Sequence, residues 1–302
     1  MDKQLKKKLG SIITAIIFII AVGIYVTKEY DHVFDFSPAP SPTVEGSCAV
    51  HFIDVGQGDS ALISCGGVNI LIDAGENNKG DEVLLKLKEL NIECLDYVIG
   101  THAHSDHIGG LDTVLNGVEV KNIILSDLPD KLIPNTKTYS DLLDAIVENE
   151  VNLIAAEVGA SYKIGEGKLT LLAPVNNKYS DLNDWSIVAR FEFGQTRFLF
   201  TGDAEEGAEE DILYGGADLA ATLLKAGHHG SSTSSSQKFL DAVDPEIVVI
   251  SVGEGNSYGH PNTEALTRFA SIGAEVYRTD IDGDITAVSD GKTITITCEN
   301  EG

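Results

Sequence analysis

Thr101-His102-Ala103-His104-Ser105-Asp106-His107 gathers three imidazoles and a carboxylate into seven residues, after the strand-like run Asp96-Tyr97-Val98-Ile99-Gly100 and before Gly109-Gly110. The histidines therefore fall on a loop at the C-terminal end of a strand, where α/β sheets place their ligands. In such a loop His102 and His104 can point to one cation while Asp106 and His107 turn toward a second. Neutral imidazole and carboxylate suit zinc, and a nitrogen/oxygen set of this kind also accepts manganese or iron. The competing reading is a cluster of solvated surface histidines.

The rest of the chain supplies a frame for that loop. With 302 residues, 43% of them hydrophobic, it can bury one large core, which predicts a single catalytic domain over 48–302. Strands are predicted at 49–54, 60–64, 69–73, 97–100 and 122–125, with helices near 81–90 and 139–149. A second, similar half has strands at 169–173, 187–193, 197–201, 220–224, 247–252, 275–277, 284–288 and 293–297, and helices at 205–213, 237–243 and 263–272. Several strands are continuous apolar runs, so both of their faces are covered, and the pattern is α/β.

Ahead of this domain, Leu9 to Val26 is uncharged and largely apolar, giving roughly 27 Å of helix against a hydrocarbon core of about 30 Å. Lys3, Lys6, Lys7 and Lys8 precede it. The positive-inside rule then makes 1–8 cytoplasmic, 9–26 a transmembrane anchor and everything beyond extracellular, with 27–47 a Pro/Ser spacer. A cleaved signal peptide is the alternative. The net charge is −26, and since the first thirty residues hold five basic and two acidic side chains, the remainder carries −29. Such a surface disfavours long-range capture of duplex DNA, although bound cations can reverse the field locally.

Cys48 and Cys65 are placed symmetrically about the Gly56-Gln57 turn, so a hairpin would bring them face to face. A disulfide and two buried apolar thiols both fit. Cys94 and Cys298 offer no such argument.

Seven segments recur in an order that resembles a known family: His51 to Ser60 (HFIDVGQGDS), Leu71 to Gly75 (LIDAG), the histidine motif, Thr201 to Glu205 (TGDAE), Lys225 to Ser231 (KAGHHGS), Tyr258 to Pro261 (YGHP) and Tyr277 to Asp280 (YRTD). Together they resemble the metallo-β-lactamase superfamily, and more narrowly the hydrolase domain of ComEC-type DNA-uptake competence proteins. The resemblance implies a four-layer αββα sandwich and one or two divalent metal ions. It implies metal ligation by His102, His104, Asp106, His107 and Asp203, with Asp203 bridging. His228 or His229 should complete the second site; the sequence leaves the choice open, and His228 is preferred. Asp73 would orient the histidine loop by hydrogen bonding. Asp54, Asp59, Arg278 and Asp280 are expected to support ligands or touch substrate, Lys225 and Arg278 to grip a substrate anion, and His260 to protonate a leaving oxygen. Asp106 is expected to serve catalysis as well as ligation.

One departure from the family pattern stands out. The third histidine usually offered to the first metal is replaced here by Asp181-Leu182-Asn183-Asp184-Trp185-Ser186, so Asn183 or Asp184 would have to substitute through oxygen. Water ionised by the metal would act as nucleophile, without a serine or cysteine. The expected activity is a phosphodiesterase acting on DNA, preferably single-stranded, on nucleotides or on a cell-wall phosphodiester. An acyl hydrolase cleaving a lactone, lactam or thioester, and a non-catalytic metal-stabilised module, are the alternatives.

Overall fold

The computed structural model describes residues 46–300. The basic segment 1–8, the apolar run 9–26 and nearly all of the 27–47 spacer lie outside the described residues. Among the described residues no helix is long and apolar enough to cross a membrane.

Two sheets form the centre of the domain. The first half of the chain contributes β1 (Cys48–Phe52), β2 (Ala61–Cys65), β3 (Val68–Ile72), β4 (Cys94–Gly100), β5 (Glu119–Leu125) and β6 (Asn152–Ala155). A second sheet is built from β7 (Ser161–Ile164), β8 (Gly167–Ala173), β9 (Val188–Phe193), β10 (Thr196–Phe200), β11 (Leu223–Lys225), β12 (Ile247–Ile250) and β13 (Glu275–Arg278). The chain then returns to the first sheet as β14 (Ile285–Ser289) and β15 (Ile294–Cys298). The strand orders are β15-β14-β1-β2-β3-β4-β5-β6 and β13-β12-β11-β10-β9-β8-β7. The helices are α1 (Gly80–Glu89), α2 (Ser105–Ile108), α3 (Leu111–Gly117), α4 (Lys137–Glu148), α5 (Glu206–Tyr214), α6 (Gln237–Val243), α7 (Thr263–Ser271) and α8 (Thr279–Asp282).

Three apolar layers follow from the strand alternation. Phe52, Ile63, Ile99, Phe191, Phe198 and Phe200 meet between the sheets, where the rings of Phe52 and Phe200 lie 6.1 Å apart. Leu62, Leu71 and Val98 point the other way, against Val83 and Leu87 of α1, Leu111 and Val114 of α3 and Leu142 of α4. Leu199, Leu224 and Val248 of the second sheet pack on Ile212, Phe239 and Phe269 of α5, α6 and α7. Each fully buried Phe or Leu contributes about 1.5–3 kcal/mol, so the strands most central to the sheets anchor the fold. The architecture is an αββα sandwich, and the two-sided burial explains the unbroken apolar runs.

Cys48 and Cys65 are register partners in the β1–β2 ladder and are joined by a disulfide, their Cα atoms 4.4 Å apart. Five elements went unpredicted: β6, β7, α2, α3 and α8. Both strands are short, edge-placed and mostly solvent-facing, and helices of four to seven residues are too brief to establish a period.

Candidate metal centre

Parallel pairing brings several strand ends to one edge: β3 beside β4, and β10 beside β11 beside β12. Asp73, Thr101, Asp203, the 226–229 segment and Ser251 follow those strands and converge. The loops are tied to one another through backbone bonds, Asp59 N to Asp106 O at 3.0 Å, Ala74 N to His107 O at 2.8 Å and Ile187 N to Thr101 O at 2.9 Å. Gly58 permits the first of these approaches. A Cβ there would sit 2.4 Å from the Asp106 carbonyl oxygen, and its φ of +139° disfavours any side chain.

The histidine loop is set by a buried carboxylate. Asp73 Oδ1 accepts the Thr101 amide at 2.8 Å, and Oδ2 takes the Thr101 hydroxyl at 2.6 Å and His107 Nδ1 at 2.8 Å. Nε2 of His107 is left facing Asp203 Oδ1 at 3.1 Å, and both atoms are buried with no hydrogen bond aligned on either. His229 is arranged in the same way. Its Nδ1 lies 3.0 Å from the Ser251 carbonyl, so Nε2 faces Asp106 Oδ2 at 3.3 Å and Asp203 Oδ2 at 3.8 Å. In both rings the outer nitrogen has an oxygen to donate to, so on losing its second proton each ring presents a lone pair on the inner nitrogen, which is the tautomer a metal requires.

Asp59, His107, Asp203 and His229 each offer a ligand atom within 4.8 Å of the others, and all four are buried. Within this group Asp59 stands behind the rings. It approaches Nδ1 of His229 at 3.2 Å and Nδ1 of His107 at 3.8 Å and forms an ion pair with Lys225. Asp106, which meets the inner nitrogen of His229, is on the ligand side. Asp106, His107, Asp203 and His229 thus form a nitrogen/oxygen set, with orphaned buried atoms among them, that fits a divalent cation. Beside it, His102 Nε2 lies 2.9 Å from His104 Nδ1 and 3.8 Å from Asp203 Oδ2, a second group of donors sharing the same aspartate.

The electrostatics agree with a site short of positive charge. Burial opposes a charged imidazole at His107, but Asp203 and Asp73 outweigh it and hold the group well above the usual histidine range. His229 is likewise disfavoured by burial and then raised to about 9 by Asp203 and Asp59. Asp203 is buried, yet His107 and His229 keep its carboxyl well below the carboxylate range. His102, by contrast, is pushed well below the histidine range by burial, with the neighbouring His107 adding to the effect.

Several sequence expectations need correction. His229, and not the preferred His228, joins the buried group, because His228 turns its Nδ1 to Glu205 at 3.2 Å and lies on the cleft wall, its Nε2 3.6 Å from Asp203. Lys225 is 3% exposed and committed to Asp59, so it is not available to grip a substrate anion. Arg278 is likewise spent on Asp280, at 2.6 and 2.9 Å. Asp54 accepts the Gly56 amide in a turn near Asp284, and Asp184 accepts the Glu205 amide where α5 begins; neither lines the cleft. Asn183 does line it, its Nδ2 donating to Glu205 at 3.3 Å while its buried Oδ1 has no partner. His260 lines it too, but burial and the adjacent His228 and His229 lower it to about 4, so in the free protein it is neutral and carries no imidazolium proton.

Sequence reasoning missed Ser186 and Glu205. Ser186 Oγ accepts the Asp203 amide at 3.0 Å and lies 3.3 Å from His102 Nδ1. Glu205 gathers His228, Asn183 and the Thr233 hydroxyl. Their only signal was position, one ending the segment that replaces the third histidine and the other closing the Thr201–Glu205 motif. His228 and His229 also adopt left-handed backbone, with φ of 48° and 52°. For residues with a Cβ this costs about 1–2 kcal/mol each, and the His228 amide to Gly202 O bond at 3.1 Å and the His229 ring bond to Ser251 hold the turn.

An αββα sandwich with a buried histidine–aspartate centre at the strand ends defines a class of metal-dependent proteins. Residues 53–172 match the profile described as the Metallo-beta-lactamase superfamily. The chain is also similar to competence proteins. It is 29% identical over 262 residues to ComE operon protein 3 of Bacillus subtilis and 32% identical over 248 residues to Competence protein ComA of Neisseria gonorrhoeae. Each match covers 81% of this chain and 33% of the relative, so the chain spans about a third of the length of the curated relatives it matches. Among solved structures, Igni18, a metallo hydrolase from Ignicoccus hospitalis KIN4/I, superposes with a TM-score of 0.50 at 17% identity, covering 79% of this chain and 98% of that one, a likeness of fold.

Proposed function

We propose that this chain is a metal-dependent phosphodiesterase, acting on a DNA strand, a nucleotide or a wall phosphodiester, with its catalytic domain held outside the cell by the apolar run 9–26. The observation that carries the reading is the convergence of His107 Nε2, His229 Nε2 and Asp106 Oδ2 around Asp203, beside a cleft of about 310 Å3 that Asp106, Asp203 and His229 line. A divalent cation bound there, zinc or manganese, supplies Lewis acidity and ionises water near neutral pH.

The chain's own residues do the rest. Asp203 offers one oxygen toward His107 and the other toward His102, His228 and His229, so it can serve both donor groups at once. Asp73 and the Ser251 carbonyl fix the imidazole tautomers, and Asp59 with Lys225 sits behind the rings as a compensated ion pair. Phosphodiesters are favoured over acyl substrates on two grounds. A relative is named a competence protein, and the donor group around His102 and His104 lacks the third imidazole on which lactamases lean.

The test is turnover by the full chain in detergent, with zinc or manganese, of bis-p-nitrophenyl phosphate and of nitrocefin. Hydrolysis of the phosphodiester is expected; hydrolysis of nitrocefin alone would overturn the reading. Protease accessibility of the 48–302 region on intact cells tests the placement outside the membrane.

A further inference from the structure

Tyr258 is 66% exposed although it stands at the rim of a buried site. Its ring stacks on His260, with centroids 5.8 Å apart and planes 24° from parallel. His260 in turn lies edge-on to His228, centroids 5.5 Å apart. Both Tyr258 and His260 line the same cleft as Asp106, Asp203 and His229.

The loop that carries this pair, between β12 and α7, is fixed by one side chain. Asn256 donates to the Gly253 carbonyl at 3.0 Å and the His260 carbonyl at 2.7 Å, and its oxygen accepts the Tyr258 amide at 3.2 Å and the His260 amide at 3.1 Å. Both amide hydrogens and the oxygen are engaged, so the backbone beneath Tyr258 is held in place. A further bond, from the Gly253 amide to Gln57 Oε1 at 3.3 Å, ties the loop to the turn on the other side of the cleft. An aromatic ring that is supported on one face, largely solvent-exposed and mounted on a pre-ordered loop is built to receive a flat partner at little ordering cost.

We propose that Tyr258 is a specificity-determining residue: its open ring face stacks a planar base of the substrate while the neighbouring phosphate occupies the metal centre. The inference rests on the phosphodiesterase reading and narrows it, because a base-bearing nucleotide unit gains from the ring and a polyol phosphate without a flat group does not. Stacking of this kind is sequence-tolerant, since every base has a π-face, and it needs none of the positive surface that duplex binding would require.

Equilibrium binding tests it without relying on turnover. Thymidine 5′-monophosphate and 2-deoxyribose 5-phosphate are titrated into the full chain in detergent by calorimetry, with manganese present. The nucleotide is expected to bind roughly 10- to 100-fold more tightly, Tyr258→Ala to bring the two within about twofold, and Tyr258→Phe to keep the preference. Tyr258 is exposed, so its truncation leaves the core intact, and the unchanged affinity of Tyr258→Ala for deoxyribose 5-phosphate verifies this. Equal affinities in the unsubstituted chain, no binding of either probe, or a preference that survives Tyr258→Ala would overturn the proposal. A preference for the nucleotide in a chain that hydrolyses no phosphodiester would instead leave the stacking platform standing and remove the phosphodiesterase reading.

Discussion

Nδ1 of His107 lies 2.8 Å from Oδ2 of Asp73, and that carboxylate also holds the amide and hydroxyl of Thr101, so one buried group sets both the tautomer of a candidate metal ligand and the course of the loop that bears it. Asp73 keeps a left-handed backbone, φ 59°, to make this contact. Strain retained at such a position is a mark of a site held by its surroundings.

Replacing Asp73 with Asn puts an amide N–H against either Thr101 or His107 Nδ1. With the N–H against His107 the bond is reversed, which moves the proton to Nε2 and blocks the lone pair aimed at Asp203; with the N–H against Thr101 the loop amide loses its acceptor and the loop that bears the ligands shifts. Metal affinity should fall by about 10–100-fold, measured by competition with a chromophoric chelator. An unchanged affinity in a folded Asp73→Asn protein would show that the carboxylate does not orient the ligand.

The adjacent histidines should separate cleanly. His229→Ala removes an inner nitrogen from the buried group and is expected to lower metal affinity by more than the ~100-fold upper range of an outer partner. His228→Ala should leave metal content within about tenfold and act mainly on turnover, because His228 faces the cleft and Glu205. Loss of metal in His228→Ala with retention in His229→Ala would reverse the assignment.

Cation binding should release protons. In the metal-free protein His107 is held well above the histidine range and His229 at about 9, in both cases by aspartates that outweigh burial. A metal needs both rings unprotonated, so apparent affinity should climb with pH through about 9, where His229 gives up its proton. Without metal the sign is the opposite for stability: the raised His229 stabilises the fold below its unfolded value near 6.5, and that contribution is lost as pH rises through about 9. Calorimetry in two buffers of different ionisation enthalpy counts the protons. Fewer than one released per cation at pH 7 would contradict the charge states described.

The Cys48–Cys65 bridge closes a loop of sequence separation 17 inside a buried hairpin. Constraint of the unfolded chain gives it about 3 kcal/mol, so the Cys48→Ser, Cys65→Ser double variant should unfold at clearly lower denaturant, with a slope equal or steeper because the freed chain exposes more surface. A midpoint that does not move would mean that the bond adds nothing to the fold.

The strands at 61–65 and 68–72 and the helix at 237–243 were legible to within a residue or two, because apolar residues recur there with a clear period or run and turn residues close them. The histidine motif was legible for the same local reason, its spacing and its place after a strand. The identity of the ligand between His228 and His229 was not. Both precede Gly230, and only the left-handed turn and the Ser251 carbonyl, 22 residues further along, decide which ring turns inward. Lys225 misled for a related reason. A lysine beside a metal motif reads as a substrate grip until Asp59, far away in the chain, is seen to hold it.

The sequence by itself determined the alternation of elements, the αββα layering that its family motifs imply, and the set of residues able to bind a cation. Tertiary structure alone decided which atoms of those residues face one another. Periodicity and spacing act over a few residues, whereas the direction of an imidazole lone pair depends on the partner of its other nitrogen. For His107 that partner, Asp73, stands 34 residues away and is brought close only by the pairing of β3 with β4.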